Sequence, residues 1–249
     1  MNSSTRRKIR MTYKYNGRPI LRMEEFDKIA EKILLRDQPE VFEKHKQVDI
    51  ETLIETSNMQ LDFQVLQPDI FGVTAFANTF YKVHDQNNVK YTHDIPLEKG
   101  TILINELLSQ VDNGESRIRF TLGHEYSHQK LHPHYFEKRK EKGNEPMICF
   151  RTAIKDGKQE SARTEEDWIE WQANKLAASI LMPKSEVVLA WKNELQDRHL
   201  NEVLLPWEEK PLPLYQQLPS IIHTLASHFG VSKCAMRYRL EQFEFTASV

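Results

Sequence analysis

The sequence predicts an α+β fold, mainly helical with a small mixed β-sheet, and three observations carry that prediction. Apolar residues recur at helical spacing from Met23 to Leu34 and then alternate with polar ones from Met59 to Val65. Helical spacing returns over Arg117 to Leu131 and Glu165 to Met182. Strands grouped ahead of the strongest helices argue against a doubly wound sheet, in which strands and helices alternate. A chain of 249 residues, 39% hydrophobic and 10% aromatic, has enough apolar surface for a substantial core.

Met1 to Arg22 carries Arg6, Arg7, Lys8, Arg10, Lys14, Arg18 and Arg22 without a single acid. It reads as a solvated, partly disordered basic arm rather than a dock for nucleic acid or an acidic partner. Met23, Phe26, Ile29, Ala30, Ile33 and Leu34 line one face of an amphipathic helix. Asp49 can cap a short helix carrying Ile50, Leu53 and Ile54, and Met59 to Val65 follows as a half-buried strand. Gly72 to Val83 and Thr101 to Ile104, entered through Gly100, read as further strands, with a helical turn beginning at Leu107 and Leu108. The charged run Tyr135 to Glu145 and the polar run Lys155 to Glu166 read as surface connections, with Met147 to Ile154 as a short strand between them. The helix Glu165 to Met182 ends at Pro183; Lys184 to Leu200 and Pro219 to Phe243 continue as helix on either side of the Pro-rich stretch Pro206 to Pro219.

Net charge is only −2, so no overall field marks the chain as a nucleic-acid or membrane binder. No apolar run approaches the ~20 residues needed to span a bilayer, and the N-terminus lacks a signal-like apolar region, so a cytoplasmic protein is expected. Cys149 and Cys234 match no C-x-x-C spacing and read as reduced, structural thiols.

The chemistry concentrates in His124-Glu125-Tyr126-Ser127-His128, an H-E-x-x-H motif inside a helical segment. On a helix, residues i and i+4 differ by about 40° in azimuth and about 6 Å in rise, so two imidazoles can grip one ion. Glu125 falls about 100° around, beside the open coordination position, where a carboxylate can take a proton from metal-bound water. A catalytic zinc site needs one more protein ligand, and three residues are candidates. His134 has the six-residue spacing of metzincins, but Leu131 and Pro133 stand where that pattern needs a glycine turn. His132 continues the helical face away from the shared ion. Glu170 shares a helical stripe with Asn174, so a helix packed beside the first could bring Glu170 to the ion and Asn174 to the outer nitrogen of a ligating His.

Two motifs together carry a family resemblance. Arg119-Phe-Thr-Leu-Gly-His124-Glu-Tyr-Ser-His128, followed by Glu170-x-x-Ala-Asn174-x-x-Ala-Ala-x-x-Leu181-Met182-Pro183, resembles the ImmA/IrrE metallopeptidases. Their pattern is R-F-T-L-A-H-E-L-G-H and then E-x-x-A-N-x-F-A-A-x-L-L-M-P. Gly100-Thr-Ile-Leu-Ile and Leu225-Ala-x-x-Phe-Gly-Val-Ser-x-x-Ala-x-x-x-Arg-Leu240 extend the likeness across most of residues 23 to 243. Tyr126-Ser127 replaces Leu-Gly, Leu176 stands in place of Phe, and an inserted loop lengthens the gap before Glu170.

The resemblance implies a zincin-like fold of the gluzincin type, with Zn2+ held by His124, His128 and Glu170 and with Glu125 as catalytic base. It also implies a cytoplasmic protein substrate, a helix-turn-helix transcriptional repressor being the characteristic class, and hence a role in transcription regulation. The expected organisation is a basic arm over residues 1–22, a metallopeptidase domain over 23–200, and a helical, helix-turn-helix-like subdomain over 201–249 packing on it. Tyr126, His132, His134 and Tyr135 are the candidates for stabilising the oxyanion. The competing reading is a DNA-binding or zinc-sensing regulatory protein. It rests on the Phe-Gly-Val-Ser break near the C-terminus, with Lys233, Arg237 and Arg239 following it; packing of this segment by Ile221, Ile222, Leu225, Phe229, Met236 and Leu240 makes nucleic-acid binding the less expected outcome.

Overall fold

A computed structural model describes residues 11–85, 88, 90–143, 148–152, 164–200 and 212–246. The basic segment departs from expectation first. Residues 1–10 of the expected arm lie outside the described residues, but β1 (Thr12–Tyr13) and β2 (Pro19–Ile20) pair as an antiparallel hairpin. Arg18 is buried, and its Nε lies 2.6 Å from Oε2 of Glu165, while Lys14 Nζ reaches Oε1 of the same carboxylate at 3.3 Å. The basic residues of this hairpin are therefore not all solvated: one distant acid, Glu165, is the partner of both Lys14 and Arg18.

Helix α1 (Met23–Asp37) begins with a reciprocal cap in which Glu25 accepts from the Arg22 amide, and it buries Phe26, Ile29, Ala30, Ile33 and Leu34, the stripe that the spacing predicts. After α2 (Glu40–Glu43), α3 (Ile50–Glu55) starts at Asp49, whose side chain accepts from the Thr52 amide as expected of a cap. The strands follow as β3 (Gln60–Gln64), β4 (Ile70–Ala75), β5 (Thr79–His84), β6 (Thr92–Leu97) and β7 (Thr101–Asn105). The run from Gly72 to Val83 is thus broken into two strands. Strand β6, polar and mostly exposed, carries no apolar alternation, and only its antiparallel pairing with β5 makes it a strand.

A turn of 3₁₀-helix over Glu106–Gln110 leads into α4 (Gly114–Leu131), the helix bearing the H-E-x-x-H motif. The charged run that follows is a helix, α5 (Pro133–Glu141), and not a loop. Pro133 at its first position needs no intrahelical donor, and Tyr135 and Phe136 bury its inner side. Strand β8 (Ile148–Thr152) is the short strand expected there, while the expected loop lies mostly in residues 153–163, outside the described residues. Helix α6 (Glu165–Leu181) opens on a Thr164 capping box with Asp167 and ends at the predicted proline. Beyond α7 (Lys184–Asp197), α8 (Leu212–Phe229) runs through Pro219, so this helix starts within the expected Pro-rich connection rather than after it. Buried Leu214, Ile221, Ile222 and Leu225 hold that helix on the core.

The main sheet has the order β3-β7-β4-β8. Strands β3 and β7 run parallel and the other pairs antiparallel, a mixed sheet in an α+β fold. Helix α4 lies between β4 and β7 of this sheet on one side and α6 on the other, so it is buried nearly all round over Thr121–His128. Arg119 ties this helix to two loops: its Nε donates to Gly230 O at 3.1 Å and its Nη2 to Val48 O at 3.0 Å. Gly230, at φ +62°, makes the turn between α8 and α9 (Lys233–Gln242), where a β-carbon would lie 2.8 Å from Arg119 Nε.

Helix α9 packs on α1 and on the end of α6. Arg239 is buried, donating to Met182 O at 3.1 and 2.9 Å and pairing with Asp27 of α1. Arg237 pairs with Glu241 one turn on, at 2.9 Å.

Candidate active site

Packing of α6 against α4 brings Glu170 to the two motif histidines. Glu170 Oε2 lies 3.1 Å from His124 Nε2, Glu170 Oε1 lies 3.2 Å from His128 Nε2, and the two Nε2 atoms are 2.9 Å apart. His124 and His128 are fully enclosed, while the Glu170 side chain keeps 34% of its surface accessible. His124, His128 and Glu170 form a set of donor atoms that could hold one metal ion.

Hydrogen bonds behind the cluster decide where the protons lie. Pro19 O can only accept, so Gln172 turns its amide nitrogen to that carbonyl, at 2.8 Å, and its Oε1 to His132 Nε2, at 3.1 Å. His132 must then carry its proton on Nε2 and accept on Nδ1. The atom facing that Nδ1, at 3.0 Å, is His128 Nδ1, which therefore donates. For His124, Asn174 Oδ1 lies 3.0 Å from Nδ1, which also donates. Both inner Nε2 atoms are left as bare lone pairs, facing each other and a carboxylate. Three acceptors at such short separations repel unless a cation lies among them, and two imidazoles with one carboxylate are a characteristic donor set for zinc.

The electrostatics agree. Burial drives the His124 imidazole down to about 4, against the partial support of Glu170, so the ring is neutral at physiological pH. Burial would raise the Glu170 carboxyl, but charge and hydrogen bonds from His128 and His124 carrying protons on Nε2 hold it well below the usual carboxylate range, and with those nitrogens bare a metal ion would supply that positive charge instead. A neutral imidazole and an ionised carboxylate are the forms that bind metal.

Glu125 is fully buried, and among the described residues neither of its oxygens has a hydrogen-bond partner. Burial, followed by the charge of Glu170, pushes its carboxyl well above the ordinary value. Room for it comes from Gly72 of β4, where a β-carbon would stand 2.8 Å from Glu125 Oε1. A buried carboxylate with unused lone pairs beside a cluster of metal donors is arranged to accept a proton.

The nearer histidines fall elsewhere. His134 is 44% exposed, stacks edge-on against Tyr13 and faces Glu137, so it cannot join the cluster. His132 reaches the cluster only through the back of His128. The other two candidates for oxyanion stabilisation also point away: Tyr126 bonds Ser57 at 3.3 Å, and Tyr135 bonds Glu166 at 3.3 Å. Ser127, which replaces a glycine of the family pattern, is buried and satisfied by donating to Gly123 O at 2.6 Å.

Sequence reasoning missed Gly72, Gln172, Cys149 and Arg151. Cys149, expected to be merely structural, donates its thiol to Glu170 Oε1 at 3.0 Å. Arg151 Nη1 donates to Asn174 Oδ1 at 3.1 Å. Gln172 alone left a signal, since it precedes Asn174 by two residues within the second motif; the other three become visible only when β4 and β8 are placed.

The IrrE N-terminal-like domain family (Peptidase_M78) matches residues 77–241, a span that holds both motifs and all three clustered donors. The chain belongs to the ImmA/IrrE metallopeptidase family. No curated protein matches it. The ImmA/IrrE region begins within the turn before β5 and runs through α9, so the hairpin β1–β2 that holds Gln172 lies ahead of it. Among the described residues no helix is long and apolar enough to cross a membrane.

Proposed function

We propose that the protein is a zinc-dependent endopeptidase acting on a cytoplasmic protein substrate, with a helix-turn-helix transcriptional repressor as the substrate class. One observation carries this reading: two imidazole lone pairs and a carboxylate converge beside a buried carboxylate whose oxygens have no hydrogen-bond partner among the described residues. His124, His128 and Glu170 would hold the ion. Zinc held there supplies Lewis acidity, polarising the scissile carbonyl and lowering the pKa of water. Glu125, whose carboxyl is pushed above the ordinary value by burial and the charge of Glu170, would take up the proton and pass it to the leaving amine. Asn174 and the Gln172–His132 pair keep the two rings in the required tautomer. The repressor class rests on the family resemblance.

Weighing against a DNA reader, Arg239 is buried and Arg237 already has a carboxylate partner. The test is zinc content and cleavage of casein and of a helix-turn-helix repressor by the wild type and by Glu125→Gln, Glu170→Ala and His134→Ala. Glu125→Gln should hold zinc and cut nothing, Glu170→Ala should lose zinc, and His134→Ala should keep both. Zinc lost from His134→Ala but kept by Glu170→Ala would overturn the ligand set, and undiminished turnover by Glu125→Gln would remove the base.

A further inference from the structure

Each motif histidine owes its bare Nε2 to a partner behind it, and that partner must itself be turned the right way. For His128 the chain of hydrogen bonds ends at Pro19 O, which can only accept and so orients Gln172 and His132. For His124 the partner is Asn174, whose amide can present either end. With Oδ1 toward the ring, Nδ1 donates and Nε2 stays bare. Turned over, the amide would offer its nitrogen, Nδ1 would accept, and the ring proton would move to Nε2, closing that atom to a metal.

Arg151 decides between the two. Its Nη1 lies 3.1 Å from Asn174 Oδ1, the same atom that lies 3.0 Å from His124 Nδ1. A guanidinium only donates, so the Asn174 atom between the two must be the oxygen. Strand β8 puts Arg151 there. It stands opposite Gly72 of β4, and directly opposed residues of paired strands share a face. A β-carbon at Gly72 would point at Thr121 and Glu125, so Arg151 also turns to the α4 side of the sheet. Its Cζ lies 4.8 Å from the centroid of the Phe120 ring of α4, which holds the plane of the guanidinium. Its Nε is buried without a hydrogen-bond partner among the described residues, so stability alone is a poor reason for a guanidinium here.

We infer that Arg151 is a positioning residue of the metal site: by donating to Asn174 Oδ1 it fixes the amide, and through it the His124 tautomer that leaves Nε2 bare for the ion. This rests on the metallopeptidase reading above. Both ligand rings are then anchored by a group of single hydrogen-bond polarity, an acceptor in Pro19 O and a donor in Arg151.

The full-length protein tests this as wild type, Arg151→Met and Arg151→Met/Asn174→Asp. Zinc affinity in a chelator competition should fall about 10- to 100-fold in Arg151→Met. Loss of a nearby positive charge would by itself strengthen binding of a cation, so the sign of the change separates orientation from charge. The melting temperature of the metal-free protein should hold, because methionine keeps the apolar contact with Phe120. Asn174→Asp in the Arg151→Met background should restore the affinity, since a carboxylate accepts with either oxygen and needs no anchor. In zinc-loaded wild type, proton NMR should show the His124 Nδ1 proton as a hydrogen-bonded, slowly exchanging signal, which Arg151→Met broadens and the double variant recovers. If Arg151→Met does not fold, Arg151→Gln, which can donate or accept, should show the same loss and the same recovery. Unchanged or higher affinity in the single variant overturns the role of Arg151. A loss that Asn174→Asp leaves unrepaired overturns the route through the amide; either result leaves the metallopeptidase reading standing. A wild type that takes up no zinc defeats that reading itself, and this inference with it.

Discussion

Replacing Gly72 with alanine should disable Glu125 while sparing the metal donors. The added β-carbon would lie 2.7 Å from Thr121 Cγ2, 2.8 Å from Glu125 Oε1 and 3.0 Å from Glu125 Cγ. Relaxed carbon contacts are about 3.5–4.0 Å, so the first overlap approaches 1 Å. Thr121 cannot rotate freely to relieve it, because its hydroxyl donates to Arg117 O at 2.8 Å. Overpacking of this kind costs about 1–3 kcal/mol, and at about 2–4 °C per kcal/mol for a chain of this size the melting temperature should fall by several degrees. A base displaced by about 1 Å should lower kcat about a hundredfold. Zinc content should be unchanged, since the atoms nearest the added β-carbon belong to Thr121 and Glu125 rather than to His124, His128 or Glu170. Adding Thr121→Ala to Gly72→Ala removes the methyl overlap and should recover part of the lost melting temperature, but not kcat, because the Glu125 contacts remain. Thermal melts, metal analysis and steady-state kinetics on the two variants measure each part. A Gly72→Ala protein with wild-type kcat would refute the placement of Glu125 against β4.

The orienting chain behind His128 makes a separate prediction. Gln172→Leu leaves His132 free to take the other tautomer, so zinc affinity in a chelator competition should fall about 10- to 100-fold; an unchanged affinity would show that the ring needs no such support. Acid stability should report the hairpin: burial alone would raise the Glu165 carboxyl, but hydrogen bonds from Asn16, Arg18 and Lys14 bring it from 4.5 down to about 2. A depressed folded pKa adds stability above the unfolded value that is lost as pH falls, so the gap in melting temperature between wild type and Glu165→Gln should close between about pH 5 and pH 2. With a partly exposed carboxylate the gap should shrink in high salt, and a gap independent of pH would exclude the ion pairs as its source.

Elements whose apolar spacing is local were legible in the sequence. The buried stripe of α1, the Asp49 cap, the buried strand β7 and the end of α6 at Pro183 all fall where periodicity and capping put them. Elements held by distant partners were not. The basic hairpin gains order from Glu165 and Gln172, α5 hides behind a charged surface, and β6 is a strand only because β5 is its neighbour.

The site divides along the same line. Four-residue helical spacing by itself determined that His124 and His128 share a helix face and that Glu125 lies beside it, because helix geometry needs nothing from the rest of the chain. Spacing left Glu170, His132 and His134 as alternatives, and only the packing of α6 on α4 brought Glu170 to the pair, put His132 behind it and left His134 outside. Cys149 shows the limit most plainly: a solitary thiol in sequence, it lies beside the metal donors because antiparallel pairing with β4 turns alternate side chains of β8 toward them.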